Sequence, residues 1–173
     1  MYWDRQLAEV FQHARRLFPA VLVTGPRQSG KTTFLQHEAA DAAYVSFDDP
    51  LQRQFATADP NGFLDQFGER PVVLDEVQYV PALFSYLKLR IDARRQLHGR
   101  FLLSGSQKFG LMHNMSDSLA GRVALLDLLP FAAGEIRVIT TGLCVASDQR
   151  LPCEPTGALP QTPPHLHLLE RLG

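Results

Sequence analysis

An alternating α/β domain, with a parallel sheet covered on both faces, is predicted by three features of this 173-residue chain. Short apolar runs at 20–23, 72–74, 101–103 and 123–126 are continuous rather than alternating, as suits strands buried on both sides. Stretches between them carry apolar residues at spacings of three and four, the period of amphipathic helices. The first run leads into a glycine-bounded loop and then into a segment that neither Gly nor Pro interrupts, a strand–loop–helix order. Alternation of this kind is the signature of βαβ units.

Each element has its own local signal. Over 4–18, Leu7, Val10, Phe11, Ala14 and Leu17 fall on one helical face, with Arg15 and Arg16 near the C-terminal end of the dipole, and Pro19 closes the helix. The first strand follows at 20–23, then the loop at 25–32 and a helix over 33–40. Residues 43–47 read as a second strand leading to Asp48-Asp49-Pro50, where Asp49 suits an N-cap and Pro50 the first helical position. Asp59-Pro60 repeats that signal and opens a short helix to Phe67. A third strand at 71–76 ends in Asp75 and Glu76. Pro81 begins a helix to Leu97 with Leu83, Phe84, Leu87 and Ile91 on one side and Lys88, Arg90, Arg94 and Arg95 on the other. Residues 100–106 give a fourth strand and 123–129 a fifth. From 137 onward the character changes: five of the twelve prolines lie between Pro152 and Pro164 and no helical or strand period survives. The expected organisation is therefore one domain over 1–136 and an extended or poorly ordered proline-rich tail over 137–173.

The loop carries the chemistry. Gly25-Pro26-Arg27-Gln28-Ser29-Gly30-Lys31-Thr32 is a complete phosphate-binding P-loop. Gly25 and Gly30 let the backbone take positive φ, so that amides over Gly25 to Thr33 turn inward as an anion-binding nest. Lys31 is expected to reach the β- and γ-phosphates and Thr32 to ligate Mg²⁺, with a helix N-terminus adding its dipole. Val72-Val73-Leu74-Asp75-Glu76 has the form of a Walker B element: Asp75 would hold Mg²⁺, through water, and Glu76 would polarise the attacking water. Ser104-Gly105-Ser106-Gln107 leaves the fourth strand, where Ser106 and Gln107 are candidates for a polar sensor at the γ-phosphate. Arg122 is the candidate arginine acting on that phosphate in cis or in trans; a structural arginine at the start of the fifth strand is the competing reading.

Five strings occur here in order: Gly-Pro-Arg-Gln-Ser-Gly-Lys-Thr-Thr, Tyr-Val-Ser-Phe-Asp-Asp-Pro, Val-Val-Leu-Asp-Glu-Val-Gln, Leu-Leu-Ser-Gly-Ser-Gln and Ser-Leu-Ala-Gly-Arg-Val-Ala. Together they resemble the prokaryotic AAA-type ATP-binding proteins in which the AAA domain precedes a C-terminal domain of unknown function. The likeness covers residues 2–136. It implies an AAA+-like P-loop NTPase core of three α/β/α layers, with a five-stranded parallel sheet in the order 5-1-4-3-2. It also implies ATP as ligand, with Mg²⁺. Members of that group continue well past a Leu-Pro-Phe segment like Leu129-Pro130-Phe131, whereas here the likeness fades after Ile136. A C-terminally truncated or frameshifted member is expected, or a minimal variant.

The functional expectation is an ATP-binding protein that hydrolyses ATP slowly with Mg²⁺; the alternative is a non-hydrolysing nucleotide-binding or interaction module. A GTPase is disfavoured because no Asn-Lys-x-Asp string occurs. A small-molecule kinase is disfavoured because Asp75-Glu76 suits water activation better. A net charge of −1 gives no support for a dedicated nucleic-acid binder, and a solvated face explains the basic residues 88–100. The N-terminus lacks an apolar signal core, and no apolar run reaches the roughly 18 residues of a membrane span. Cytoplasmic location is expected, with Cys144 and Cys153 reduced. His165 and His167 have no partner ligands near them in sequence. Partners beyond ATP would be a second copy or another protein bound through the core.

Overall fold

The computed structural model describes residues 2–106, 119–131 and 135. The expected proline-rich tail, Cys144, Cys153 and Gln107 lie outside these residues. The described chain runs α1 (Leu7–Leu17), β1 (Ala20–Thr24), α2 (Lys31–Glu38), β2 (Ala43–Ser46), α3 (Pro50–Ala58), α4 (Pro60–Asp65) and β3 (Val72–Asp75). A 3₁₀ turn (Val77–Tyr79), α5 (Leu83–Ala93), β4 (Phe101–Gly105) and β5 (Val123–Asp127) complete it.

All strand pairs are parallel, as the pattern of elements predicts, and the sheet order is β2-β3-β4-β1-β5, the order that the resemblance implies. Burial on both faces explains the continuous apolar runs. Ala20, Leu22, Val72, Leu74, Phe101 and Leu103 point to one face, into a core shared with Phe63 of α4 and with Leu83, Phe84, Leu87 and Ile91 of α5. Val21, Val23, Val73 and Leu102 point to the other, against Phe11 and Ala14 of α1 and Phe34 and Leu35 of α2. The strand period of two thus divides one apolar string between two helical layers. The four apolar residues expected on one side of α5 are all buried there.

Register sets the site. Thr24 is level with Gly105 and Asp127, Leu74 with Leu103, and Ser46 with Asp75. The C-terminal ends of all five strands therefore open on the same edge, where parallel α/β sheets collect ligands.

Element boundaries differ from the sequence reading where distant residues intervene. Helix α1 begins at Leu7 rather than near Asp4, because the Gln6 amide donates to the Glu135 carboxylate (2.8 Å) and Arg5 turns inward. A carboxylate 129 residues away does the work of a local cap. Strand β5 stops at Asp127, where the Leu128 amide on the Thr24 carbonyl (2.8 Å) is the last rung of the ladder. Helix α5 is shorter at both ends than 81–97, beginning after Pro81 and Ala82 and ending at Ala93.

Both Asp-Pro signals cap helices as read. Asp49 Oδ1 accepts from the Leu51 amide (2.9 Å), and Asp59 Oδ1 from the Gly62 amide (2.9 Å). Asp59 also ends α3, so one residue governs two helices. Asp59→Ala removes the cap from an exposed position and is expected to cost about 1 kcal/mol, read as a lower urea midpoint at unchanged slope.

Candidate functional site

Backbone conformation prepares the loop. Gly25 has φ +152 and Gly30 φ +87, while Gln28, a non-glycine, is held at φ +63. A Cβ on Gly25 would stand 2.2 Å from the Leu128 carbonyl oxygen, so the chain after β5 passes directly against the loop's first residue. Gly30 in the left-handed region serves as N-cap of α2. Among the described residues the amides of Gly30, Lys31 and Thr32 find no protein acceptor, as at the free N-terminus of any helix. The Ser29 hydroxyl is buried there without a partner as well. Open amides, an unsatisfied hydroxyl and the dipole of α2 suit an anion at this mouth.

Lys31 is 6% exposed, and its ammonium donates to the carbonyls of Gly25 (3.1 Å) and Pro26 (2.8 Å). Burial pushes it below the ordinary lysine value, and the charges of Glu76 and Asp75 pull it partly back. Its two carbonyl acceptors belong to the loop itself, so a phosphate oxygen can replace them without moving the backbone.

Thr32 and Asp75, distant in sequence, are brought together: Thr32 Oγ1 donates to Asp75 Oδ2 at 2.8 Å. Two further donors join that carboxylate. Tyr44 of β2 donates its phenol to Oδ2 (2.7 Å), and Ser104 of β4 donates to Oδ1. Asp75 itself is 3% exposed. Burial, with the hydrogen bond to Asp75 and its charge, pushes the Tyr44 phenol well above its usual range, so it stays a donor at neutral pH. Hydroxyl donors around a carboxylate, with an open helix N-terminus beside them, fit a hydrated divalent cation bound with polyphosphate.

Glu76 sits in the left-handed region at φ +55. Its carboxylate receives the Gln78 amide and the Ser106 hydroxyl (3.3 Å). Ser106 thus lies beside Glu76, and Gln78 bridges the two (3.4 Å to Ser106). Arg27 of the loop is exposed.

Arg122 is elsewhere. It precedes β5 at the opposite end of the sheet, where its carbonyl accepts from the Ala20 amide (3.3 Å). That is roughly 13 Å of strand from the loop mouth. Its guanidinium grips Asp92 with two bonds (2.8 and 2.9 Å) and the Ala120 carbonyl with a third (3.0 Å). A role in cis on a phosphate in its own chain's loop is therefore corrected to a structural one, tying the start of β5 to the end of α5. The basic residues of α5 and of the turn after it are likewise engaged: Arg90 pairs with Asp65, Arg94 with Glu69 and Arg95 with Asp92.

Sequence reasoning missed Tyr44 and Gln78 as site residues, and Ser104 as a partner of Asp75. Tyr44 and Ser104 were legible only as strand residues until the folded sheet brought their hydroxyls onto the Asp75 carboxylate. Gln78 stands two residues after Glu76, and that spacing was the available signal. Arg5, which touches the loop from behind, gave no local signal at all.

A family model described as an AAA domain matches residues 17–137. Uncharacterised proteins of Mycobacterium tuberculosis and Mycobacterium bovis are each 37% identical over 126 residues, covering 72% of this chain and 28% of theirs. The chain thus spans little more than a quarter of the length of these curated relatives. Among solved structures, the Walker-type ATPase PABY2304 of Pyrococcus abyssi matches at TM-score 0.58 and 15% identity, over 87% of this chain and 60% of that one. AMPPCP-bound DnaA of Aquifex aeolicus matches at TM-score 0.52 and 15% identity, over 85% of this chain and 51% of that one. At these identities the two likenesses bear on the fold alone. No helix among the described residues is long and apolar enough to cross a membrane.

Proposed function

Since the chain belongs to the family of AAA domains and shares the α/β fold of P-loop ATPases, we propose that it binds ATP with Mg²⁺ at the mouth of residues 25–32 and hydrolyses it slowly. The observation that carries the reading is the meeting of Lys31, Thr32 and Asp75 at one edge of the sheet, with Thr32 2.8 Å from Asp75. In the proposal Lys31 exchanges the Gly25 and Pro26 carbonyls for phosphate oxygens, and the amides of 25–33 cradle the same charge. Thr32 and Asp75 hold Mg²⁺, which would supply charge neutralisation at the phosphates. Glu76 accepts a proton from, or orients, the water that attacks the terminal phosphorus, once Gln78 and Ser106 share its carboxylate with that water. In the same proposal Ser106, whose hydroxyl lies 3.3 Å from the Glu76 carboxylate, serves as the polar sensor. An action of Arg122 on a second copy's nucleotide belongs to the same proposal, and would require it to leave Asp92.

Phosphoryl transfer rests on positioning and charge, so binding and turnover separate cleanly in a variant. Glu76→Gln is expected to keep the thermal stabilisation by Mg·ATP while phosphate release falls by about a hundredfold or more. Equal phosphate release from Glu76→Gln and the parent chain would remove Glu76 from the mechanism. Stabilisation by Mg·ATP with no phosphate release from the parent at any concentration would leave a nucleotide-binding module instead.

A further inference from the structure

Arg5 stands outside the catalytic reading, yet it is the most heavily engaged side chain behind the loop. It is 8% exposed, in the segment before α1. Its guanidinium reaches three acceptors from two distant parts of the chain. Nη1 donates to the Ser29 carbonyl (3.1 Å), Nη2 to the Leu129 carbonyl (2.5 Å) and Nε to the Glu135 carboxylate (3.2 Å). The Phe131 ring lies 4.3 Å from the guanidinium carbon, on its face. Glu135 is 9% exposed and also takes the Gln6 amide (2.8 Å). The planar guanidinium serves the three acceptors from three separate nitrogens held in one rigid fork.

The contact with Ser29 has a consequence on the other side of one peptide plane. In a trans peptide the carbonyl and the following amide point in opposite directions. Fixing the Ser29 carbonyl on Arg5 therefore aims the Gly30 amide away from Arg5, and that amide finds no acceptor among the described residues. Gly30 at φ +87 has almost no steric preference of its own to hold this orientation. A cationic donor on the carbonyl also polarises the peptide and strengthens the opposite N–H as a donor. Anion binding and Arg5 thus act on the two ends of the same peptide.

We propose that Arg5 is a positioning residue for the nucleotide: it sets the Ser29–Gly30 peptide for phosphate and couples loop occupancy to the segment after β5. The proposal rests on the reading of the loop as a nucleotide site. Coupling is reciprocal. A phosphate on the Gly30 amide strengthens the Ser29 carbonyl as an acceptor and so tightens Arg5 on Leu129 and Glu135. The Gln6 amide, bonded to Glu135 and not to the loop, then exchanges more slowly when nucleotide is bound, and so does the Leu128 amide, which is bonded to Thr24 beside the loop. A residue that only stabilised the fold would change their exchange equally with and without nucleotide.

The test uses the full chain, with Mg·ADP as the probe, calorimetric titration for affinity and hydrogen exchange for the linkage. In the parent, Mg·ADP should slow exchange at Gln6 and Leu128. In Arg5→Lys, whose point charge cannot span three acceptors, affinity should fall about tenfold and the ADP-dependent slowing should vanish, with β1, β3 and β4 as protected as in the parent. Parent affinity and parent linkage in Arg5→Lys would overturn the proposal. So would tight ADP binding by the parent with no change at Gln6 and Leu128, a result that needs no variant to fold. Failure of the parent to bind Mg·ADP at all is a different outcome, which removes the nucleotide reading and this inference with it.

Discussion

Lys31→Ala is expected to weaken Mg·ATP binding by about a hundredfold, the effect of losing two charge-assisted hydrogen bonds to phosphate. Without nucleotide the same variant should be no less stable than the parent. Lys31 is buried and burial pushes its ammonium below the ordinary lysine value, so the charge costs the folded state something. Its two acceptors, the carbonyls of Gly25 and Pro26, sit at the mouth where water can replace it. The pH dependence separates these effects. With a folded-state pKa below the unfolded one, the unfolded chain binds more protons between the two values. The Lys31 contribution to stability therefore rises with pH across that interval, which ends near the ordinary lysine value of about 10.5. Lys31→Ala should lose that alkaline rise, and with it the nucleotide-dependent shift in Tm at every pH. Titration calorimetry for affinity, and thermal unfolding at a series of alkaline pH values, read both. A variant that binds Mg·ATP like the parent would show that the loop's amides alone carry the phosphate, and Lys31 would have only its carbonyl contacts to explain it.

The division between what was legible in the sequence and what was not follows the range of the forces involved. Residues 20–24, 72–75 and 101–105 announce themselves because burial on both faces leaves no polar alternation to disguise them. Asp49-Pro50 and Asp59-Pro60 are readable because a cap and its helix are neighbours in the chain. The sheet order came with the resemblance to a known group and not from periodicity, which says which residues are strands and nothing of who pairs with whom. Thr32 and Asp75 were joined by motif chemistry across 43 residues. Tyr44 was not, because an exposed tyrosine on an edge strand has an ordinary explanation until register sets Ser46 beside Asp75. The cis role of Arg122 failed for the opposite reason. An arginine beside glycine before a strand looks chemical in one dimension, and only the parallel pairing shows that the start of β5 and the end of β1 lie at opposite ends of adjacent strands. Arg5 and Glu135 are the limiting case: a buried pair from the two ends of the described chain leaves no local pattern.

Gly25→Ala is expected to damage fold and site together, by about 3 kcal/mol, from overpacking plus a backbone held where L-residues are strained. The clash is specific. A Cβ at this position stands 2.2 Å from the Leu128 carbonyl oxygen, 3.1 Å from its carbon and 3.2 Å from Ser29 Oγ. Relief by moving Leu128 is closed off, because its amide is bonded to the Thr24 carbonyl, one residue before Gly25. Moving Gly25 instead withdraws its carbonyl from Lys31 and swings the loop away from α2. Gly68→Ala supplies the reference, since Gly68 has φ +54 and nothing within 4 Å of its missing Cβ. It should cost only the left-handed strain, about 1 kcal/mol. Urea unfolding of the two full-length variants separates close approach from conformational strain, and a Gly25→Ala no worse than Gly68→Ala would mean the Leu128 backbone yields. If the larger loss appears, nucleotide affinity should fall with it in Gly25→Ala and stay at the parent value in Gly68→Ala. The reason is geometric: the segment after β5 packs on the loop at Gly25 and is tied through Leu129 to Arg5, which holds Ser29. The backbone that receives phosphate and the backbone that leaves the sheet are held at van der Waals contact, so neither can be displaced alone.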